Sequence, residues 1–212
     1  MAGRSHLSAK AVHPTSAEVI LRPLSRTQVA TRRRLLDAAR DLAADAGYDA
    51  VNMRRVAERA GLSAPTAYQY FSSKDHLLVD VLVDLVANTT ALIQARPSRR
   101  GTPADRAAAT LRRVVRRVEE QPNLFVAITR AYISGSAEVA HARGAMEKSM
   151  ATWIDVALGP SGIEDREAVV AILEAVIFAG MVGLVTGRRA PKEIGDELER
   201  AARTLLRRTG RD

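Results

Sequence analysis

Between Asn52 and Leu78 the chain reads NMRRVAERAGLSAPTAYQYFSSKDHLL. Its first part is a short amphipathic segment: Met53, Val56, Ala57 and Ala60 share one face, and Arg54, Arg55, Glu58 and Arg59 the other. Gly61 interrupts that period and Leu62 supplies a single apolar plug. Ser63 then stands where a helix cap is needed, with Pro65 in the first turn behind it. Two short helices joined by a glycine turn make a helix-turn-helix, the arrangement whose second helix enters the major groove of DNA. Ser72 or Ser73 next caps a long helix with Leu77, Leu78, Val81, Leu82 and Leu85 as its apolar stripe.

The remaining sequence carries helical periods throughout. Thr27 to Ala46 repeats Leu35, Leu36, Ala39, Leu42 and Ala43 at helix spacing and stops at Gly47. Beyond a Pro- and Gly-punctuated loop from Arg96 to Pro103, a helix from about Ala104 to Glu120 turns Leu111, Val114, Val115 and Val118 inward. Gln121-Pro122-Asn123 interrupts the pattern, and two further helical segments reach about Leu158. Arg166 to Thr186 is apolar on most of its circumference, which requires burial on several sides. A last helix follows the turn at Gly187 to Pro191. No strand-period segment of useful length and no internal repeat occurs. The expected fold class is therefore all-α, with about nine helices. Three parts are expected: a flexible arm over 1–25, a helix-turn-helix domain over 26–72, and a ligand-binding and dimerisation domain over 73–212.

The charge balance is +8, and it is uneven: residues 1–76 hold 12 Lys and Arg against 7 Asp and Glu, whereas the rest holds 20 against 17. The excess thus gathers around the motif, as suits an anionic partner such as nucleic acid. There is no cysteine, which excludes disulfides, thiol catalysis and Cys-based zinc sites. The four histidines lack metal spacing with carboxylates, and no nucleophile elbow, Walker sequence or dinucleotide fingerprint occurs. No cofactor, metal or catalytic residue is expected. The N-terminus has no signal-peptide core, and the most apolar run, Ala175 to Val185, is short for a membrane span. The expectation is a cytoplasmic protein without a membrane partner.

Gly47-Tyr48, the run from Arg54 through Ser63, Pro65 to Phe71, and Ser73-Lys74-Asp75-His76-Leu77-Leu78 together resemble the TetR family of bacterial transcriptional repressors. Many members carry glycine where Pro65 stands, although the founding tetracycline repressor has a Pro-Thr pair there. In the body, Gln121 to Leu124, Thr129 to Tyr132, Gly187 to Ala190 and the final helix are similar to the actinobacterial sterol-catabolism repressors within that family. The resemblance implies a homodimer on a palindromic double-stranded operator. It also implies release by a hydrophobic inducer, in the sterol group a steroid attached to coenzyme A.

At the DNA end, Arg54 matches a base-reading arginine of the tetracycline repressor, and arginine suits guanine, with a solvated helix arginine as the alternative. Ser63, Ala64, Pro65 and Thr66 open the reading helix. Ser63 is a cap, a DNA contact or both, while Ala64 and Pro65 offer apolar surface suited to a thymine methyl. Gln69 either reads adenine or faces solvent. Tyr68 and Lys74 resemble the family's phosphate-binding pair, with a structural tyrosine and an unpartnered lysine as the alternatives. Phe71 reads as core.

In the body, Phe125, Thr129, Tyr132, Met146, Met150, Trp153, Phe178 and Met181 are either ordinary core or the wall of a ligand cavity. The arginines at 112, 113, 116, 117, 99 and 100 are a basic surface or a seat for coenzyme A phosphates. Ala175, Ala179 and Gly183, with Ile194, Leu198 and Leu205 of the final helix, are expected at the dimer interface. Two other classes compete with this reading: an acyl-CoA-handling helical enzyme, and a sequence-blind architectural DNA binder.

Overall fold

The computed structural model describes residues 25–97, 101–135, 139–160 and 163–206. The expected arm, apart from Ser25, and the Arg99-Arg100 pair lie outside them. The described residues form nine α-helices, one 3-10 turn and no strand.

Helix α1, Arg26–Ala46, opens with a reciprocal cap: Gln28 N donates to Ser25 Oγ and Ser25 N donates to Gln28 Oε1. It ends at Gly47, whose φ of 75° suits glycine. A 3-10 turn, Tyr48–Ala50, leads to α2, Met53–Arg59, capped by Asn52 Oδ1 on Arg55 N at 2.9 Å. Helix α3, Ala64–Tyr70, is capped by Ser63 and carries Pro65 in its first turn. The turn between α2 and α3 is held from outside: Nη2 of Arg34 on α1 donates to Ala60 O, and to Gly61 O at 3.3 Å. Gly61 has a φ of 64°, and a Cβ there would stand 2.9 Å from the same nitrogen.

Helix α4, Lys74–Ala95, is capped by Ser73 and runs from this head into the body. Two ion pairs bind it to α1, Arg32–Asp80 at 2.5 Å and Arg33–Asp84 at 2.7 Å. Helix α5, Pro103–Glu120, starts with a Thr102–Asp105 capping box, and Arg203 also reaches Asp105, so the hydrogen bonds from Thr102 and Arg203 lower that carboxyl's pKa to about 2. Helix α6, Pro122–Ile133, begins directly at Pro122: the break read at Gln121 is a corner, because proline is at home in a first turn. Helices α7, Ala140–Leu158, α8, Arg166–Val185, and α9, Pro191–Leu206, complete the body.

Two buried clusters hold the molecule together. The first joins Leu35, Val56, Ala67, Phe71, Leu77 and Leu78 of the head to Leu124, Ala127, Ile128 and Ala131 of α6. The second lies among α4, α5, α7, α8 and α9, around Leu111, Val115, Trp153, Ile154, Leu173, Ile194 and Leu198. The head's core thus continues across residue 72 into the body. Helices α4 and α8 are also long and apolar enough to cross a bilayer by length and composition, a longer reach than the run from Ala175 suggests. Packing against α1, α6 and α7 accounts for the apolarity of α4.

Gly61→Ala should destabilise the chain by about 1–3 kcal/mol, the usual cost of a left-handed non-glycine residue. The new methyl must also displace the Arg34 guanidinium. Denaturant unfolding measures the loss, and an unchanged midpoint would show that the turn is not pinned.

Candidate nucleic-acid interface and ligand cavity

The reading head presents a mixed surface. Arg54, Ser63, Pro65, Tyr68 and Gln69 are exposed, and Tyr68 shows 56 % of its surface to solvent, unusual for an aromatic without an external partner. Ala64 and Thr66 are half-buried. The Ser63 hydroxyl accepts from Thr66 N at 3.2 Å and lies 2.8 Å from Thr66 Oγ1, so in the free protein both hydroxyls serve the helix start. Arg55 donates to Ala50 O at 3.0 Å and is a local brace. Phe71 is fully buried, with the His76 ring at its edge and the Arg32 guanidinium over its face.

Lys74 does not hang free. Its Nζ sits 3.7 Å above the centre of the Tyr48 ring, and the Arg130 guanidinium of α6 lies 4.4 Å from that centre. Tyr48 Oη donates to Asp75 Oδ1 at 2.7 Å. Burial, and then the Asp75 carboxylate, push the Tyr48 hydroxyl up to about 12, so it remains a proton donor at any ordinary pH. Arg130 also approaches Asp49 at 3.5 Å, and Asn123 Nδ2 approaches Ala44 O at 3.5 Å. Through these contacts α6 touches the 3-10 turn and the start of α4. Tyr48 was visible in the sequence only as part of a family motif, and Arg130 not as a partner at all. Their pairing bridges 82 positions, which no local period encodes.

The body holds a partly open cavity of about 380 Å³. All eight body residues singled out from the sequence lie on its wall: Phe125, Thr129 and Tyr132 from α6, Met146, Met150 and Trp153 from α7, and Phe178 and Met181 from α8. The sequence reading missed Leu82, Leu85, Val86 and Thr89, a face of α4 at helix spacing that had been read in part as core. It also missed Glu147 and Glu174. Glu174 had a signal, being the only charged residue between Ala168 and Val185. Of the arginine stripe on α5, Arg117 reaches the wall, whereas Arg112 pairs with Glu199 and Arg113 leans toward Arg96 O.

The expected dimer stripe divides. Ala175 and Ala179 are exposed on α8, and Ala175 also borders the cavity. Gly183 is covered by the Arg189 side chain of its own chain. Ile194 and Leu198 are 2 % and 1 % exposed, so their assignment to an interface between copies is corrected. They face α5, α8 and the cavity, because the apolar stripe of α9 is already buried within one chain. The close crossing of α8 and α9 comes at Gly180, where a Cβ would lie 2.8 Å from Ile194. Leu205 is half-buried against the same core.

Burial, and next the neighbouring Glu147, raise the pKa of Glu174. A raised carboxyl pKa means that the folded chain holds this proton more tightly than the unfolded one. Ionisation therefore subtracts stability as pH rises through and above the ordinary carboxylate range. Glu174→Gln should melt higher than the parent near neutral pH and lose that advantage in acid. An advantage that persists in acid would point to packing rather than charge.

Residues 35–81 match the family model "Bacterial regulatory proteins, tetR family", and residues 101–205 match "Tetracyclin repressor-like, C-terminal domain". The chain is 33% identical over 186 residues to the HTH-type transcriptional repressor KstR of Rhodococcus jostii, covering 86% of this chain and 85% of that one. A TetR transcriptional regulator from Rhodococcus superposes with a TM-score of 0.74 at 25% identity, over 87% of this chain and 99% of that one. Thermus thermophilus FadR, a TetR-family repressor solved with lauroyl-CoA, shares the fold with a TM-score of 0.64 at 19% identity, over 82% and 93% of the two chains. With both ends of the chain matched and a curated repressor aligned along most of its length, this protein belongs to the TetR family of bacterial regulatory proteins.

Proposed function

We propose that this regulator represses transcription as a homodimer on a palindromic operator and is released by a hydrophobic inducer held in the body. One observation carries the reading: α6 has Phe125, Thr129 and Tyr132 on the cavity wall and Arg130, the residue after Thr129, on the Tyr48 ring. A ligand that moves α6 therefore acts on the turn and the helix start that support the reading head. Such a ligand releases DNA only if it binds the released state more tightly than the DNA-bound state. The inducer of first choice is a steroid or long acyl chain joined to coenzyme A. Support comes from the apolar wall, the likeness to the sterol-catabolism repressors, and the lauroyl-CoA held by a protein of the same fold.

In this reading Arg54, with Ser63, Ala64, Pro65, Thr66 and Gln69, addresses base edges, and Tyr68 and Lys74 address phosphates. An operator selected from random DNA supplies the test. Arg54→Ala should lose about 1–3 kcal/mol of preference for operator over random duplex. Lys74→Ala should weaken both alike and reduce the salt slope by about one. Equal losses on both DNAs with Arg54→Ala would remove it from base reading. Operator binding that no acyl or steroid thioester relieves would refute the inducer.

Helix α8 supports the dimer. Ile172, Ala175 and Ala179 lie at i, i+3 and i+7, and Ile172 and Phe178 are 45 % and 49 % exposed. A second copy seated on this face gives it the burial that its composition demands. Ala179→Trp should overfill that contact and weaken association. A parent chain sedimenting as a monomer at micromolar concentration would end the dimer proposal.

A further inference from the structure

Helix α3 is seven residues long, and Ala67, in its middle, is its one buried side chain. A helix this short takes its position from tertiary contacts. A single small side chain in the middle leaves its tilt to whatever holds the two ends. At both ends the holding groups come from α1. Behind α3, the Arg32 guanidinium lies 5.4 Å from the centre of the buried Phe71 ring. Ahead of α3, Arg34 Nη2 donates to Ala60 O and, at 3.3 Å, to Gly61 O. These carbonyls follow the end of α2, and among the described residues no backbone N–H reaches either of them. Carbonyls at a helix C-terminus lack intrahelical partners and carry partial negative charge, which a guanidinium fork satisfies. Between the two arginines, Arg33 reaches Asp84 of α4, one turn beyond the Asp80 that Arg32 holds. Three successive arginines thus grip both ends of the short helix and α4 at once.

We propose that Arg34 is a positioning residue for base reading, which sets the tilt of α3 by holding the turn ahead of it and does not itself touch DNA. Through Arg32 and Arg33 the same stretch of α1 ties that tilt to the position of α4. The proposal rests on the reading of α3 as the helix that meets base edges and adds what holds it at its angle. Arg34 is exposed, so a direct phosphate contact is the competing role. The two differ in their effect on DNA binding. A phosphate contact strengthens all duplexes alike and adds to the salt dependence, whereas a tilt matters only where base edges are met.

The test uses the full chain, an operator selected from random DNA, a random duplex and a salt titration of each, all below the melting transition of every variant. Arg34→Ala should cut the preference for operator over random duplex by about tenfold, the scale of one base contact held out of register. Its binding to random duplex and its salt slope should stay as in the parent. Arg34→Lys should restore part of the preference, because an ammonium still donates to a carbonyl, though not as a fork. Leu42→Val, a change at a buried residue of α1 that leaves Arg34 and both carbonyls in place, should melt lower than the parent and keep its preference. If Leu42→Val loses as much preference as Arg34→Ala, Arg34 serves stability alone and the proposal falls. A preference unchanged in Arg34→Ala overturns it too. Equal losses on both duplexes with a flatter salt slope make Arg34 a phosphate contact instead. A parent without any operator preference removes the reading of α3 itself, whatever Arg34 does.

Discussion

Helix α6 is twelve residues long and takes part in both buried regions of the molecule. Leu124, Ala127, Ile128 and Ala131 are inaccessible to solvent and belong to the core that also holds the helix-turn-helix. Phe125, Thr129 and Tyr132 lie on the opposite region, against the cavity. A helix this short would be marginal alone, so tertiary packing fixes its position. Neither region can then relax independently of the other. Protein interiors are close-packed, have low compressibility and transmit strain. An occupant that shifts the α6 backbone at Thr129 also shifts Arg130, which rests on the Tyr48 ring. In the proposed mechanism, continuity between inducer and reading surface comes from sharing one helix between two cores.

Much of this was legible in the sequence. The helix-turn-helix declared itself through a glycine at a turn, a capping serine and a proline in the first helical position, all of them local signals. The eight body residues are large, adaptable or hydroxylated groups on separate helices, but it was the family resemblance, not their spacing, that pointed to a cavity; all eight line one. Their convergence on one wall reflects where a bundle leaves space when bulky side chains face each other. The long-range contacts were not legible. Nothing near Arg34 indicates that its guanidinium caps α2 and excludes a methyl at Gly61. Nothing near Lys74 shows that its charge rests on an aromatic face.

The misplacement of Ile194 and Leu198 has a plain cause. An amphipathic stripe states that a face is buried, and it is silent on whether the burying surface belongs to the same chain. The stripe on α9 is satisfied by α5 and α8, helped by Gly180 and Gly195, which admit Ile194 and Val115 closely. Helix α8 is the reverse case. Its apolar residues extend around the circumference, and one chain covers only part of them, leaving Ile172 and Phe178 half in solvent. The informative quantity was therefore the width of the apolar surface, not its period. A narrow stripe is consumed by one neighbour; a surface that nearly encircles the helix needs a second.

The energetics of such a switch set a scale that these contacts can be held against. Moving a two-state regulator from almost fully DNA-competent to almost fully released takes about 5.5 kcal/mol of differential binding. In the proposed dimer two cavities share that load, so each ligand must favour the released state by roughly 3 kcal/mol. That is near the upper end of ordinary coupling free energies, about 1–3 kcal/mol. Besides the shared apolar core, the polar bridge from α6 to the head consists of contacts that are individually weak. A cation over an exposed aromatic face contributes about 0.5–1 kcal/mol, and a partly solvated ion pair about as much or less. No single one carries the required coupling. The Arg130–Tyr48 stack, the Arg130–Asp49 approach and the Asn123–Ala44 contact reach the scale only if they break together. They share one short helix, and a rigid displacement of α6 loosens all three at once. Under the proposed mechanism, small contacts arranged on one rigid element would supply both the coupling and its all-or-none character.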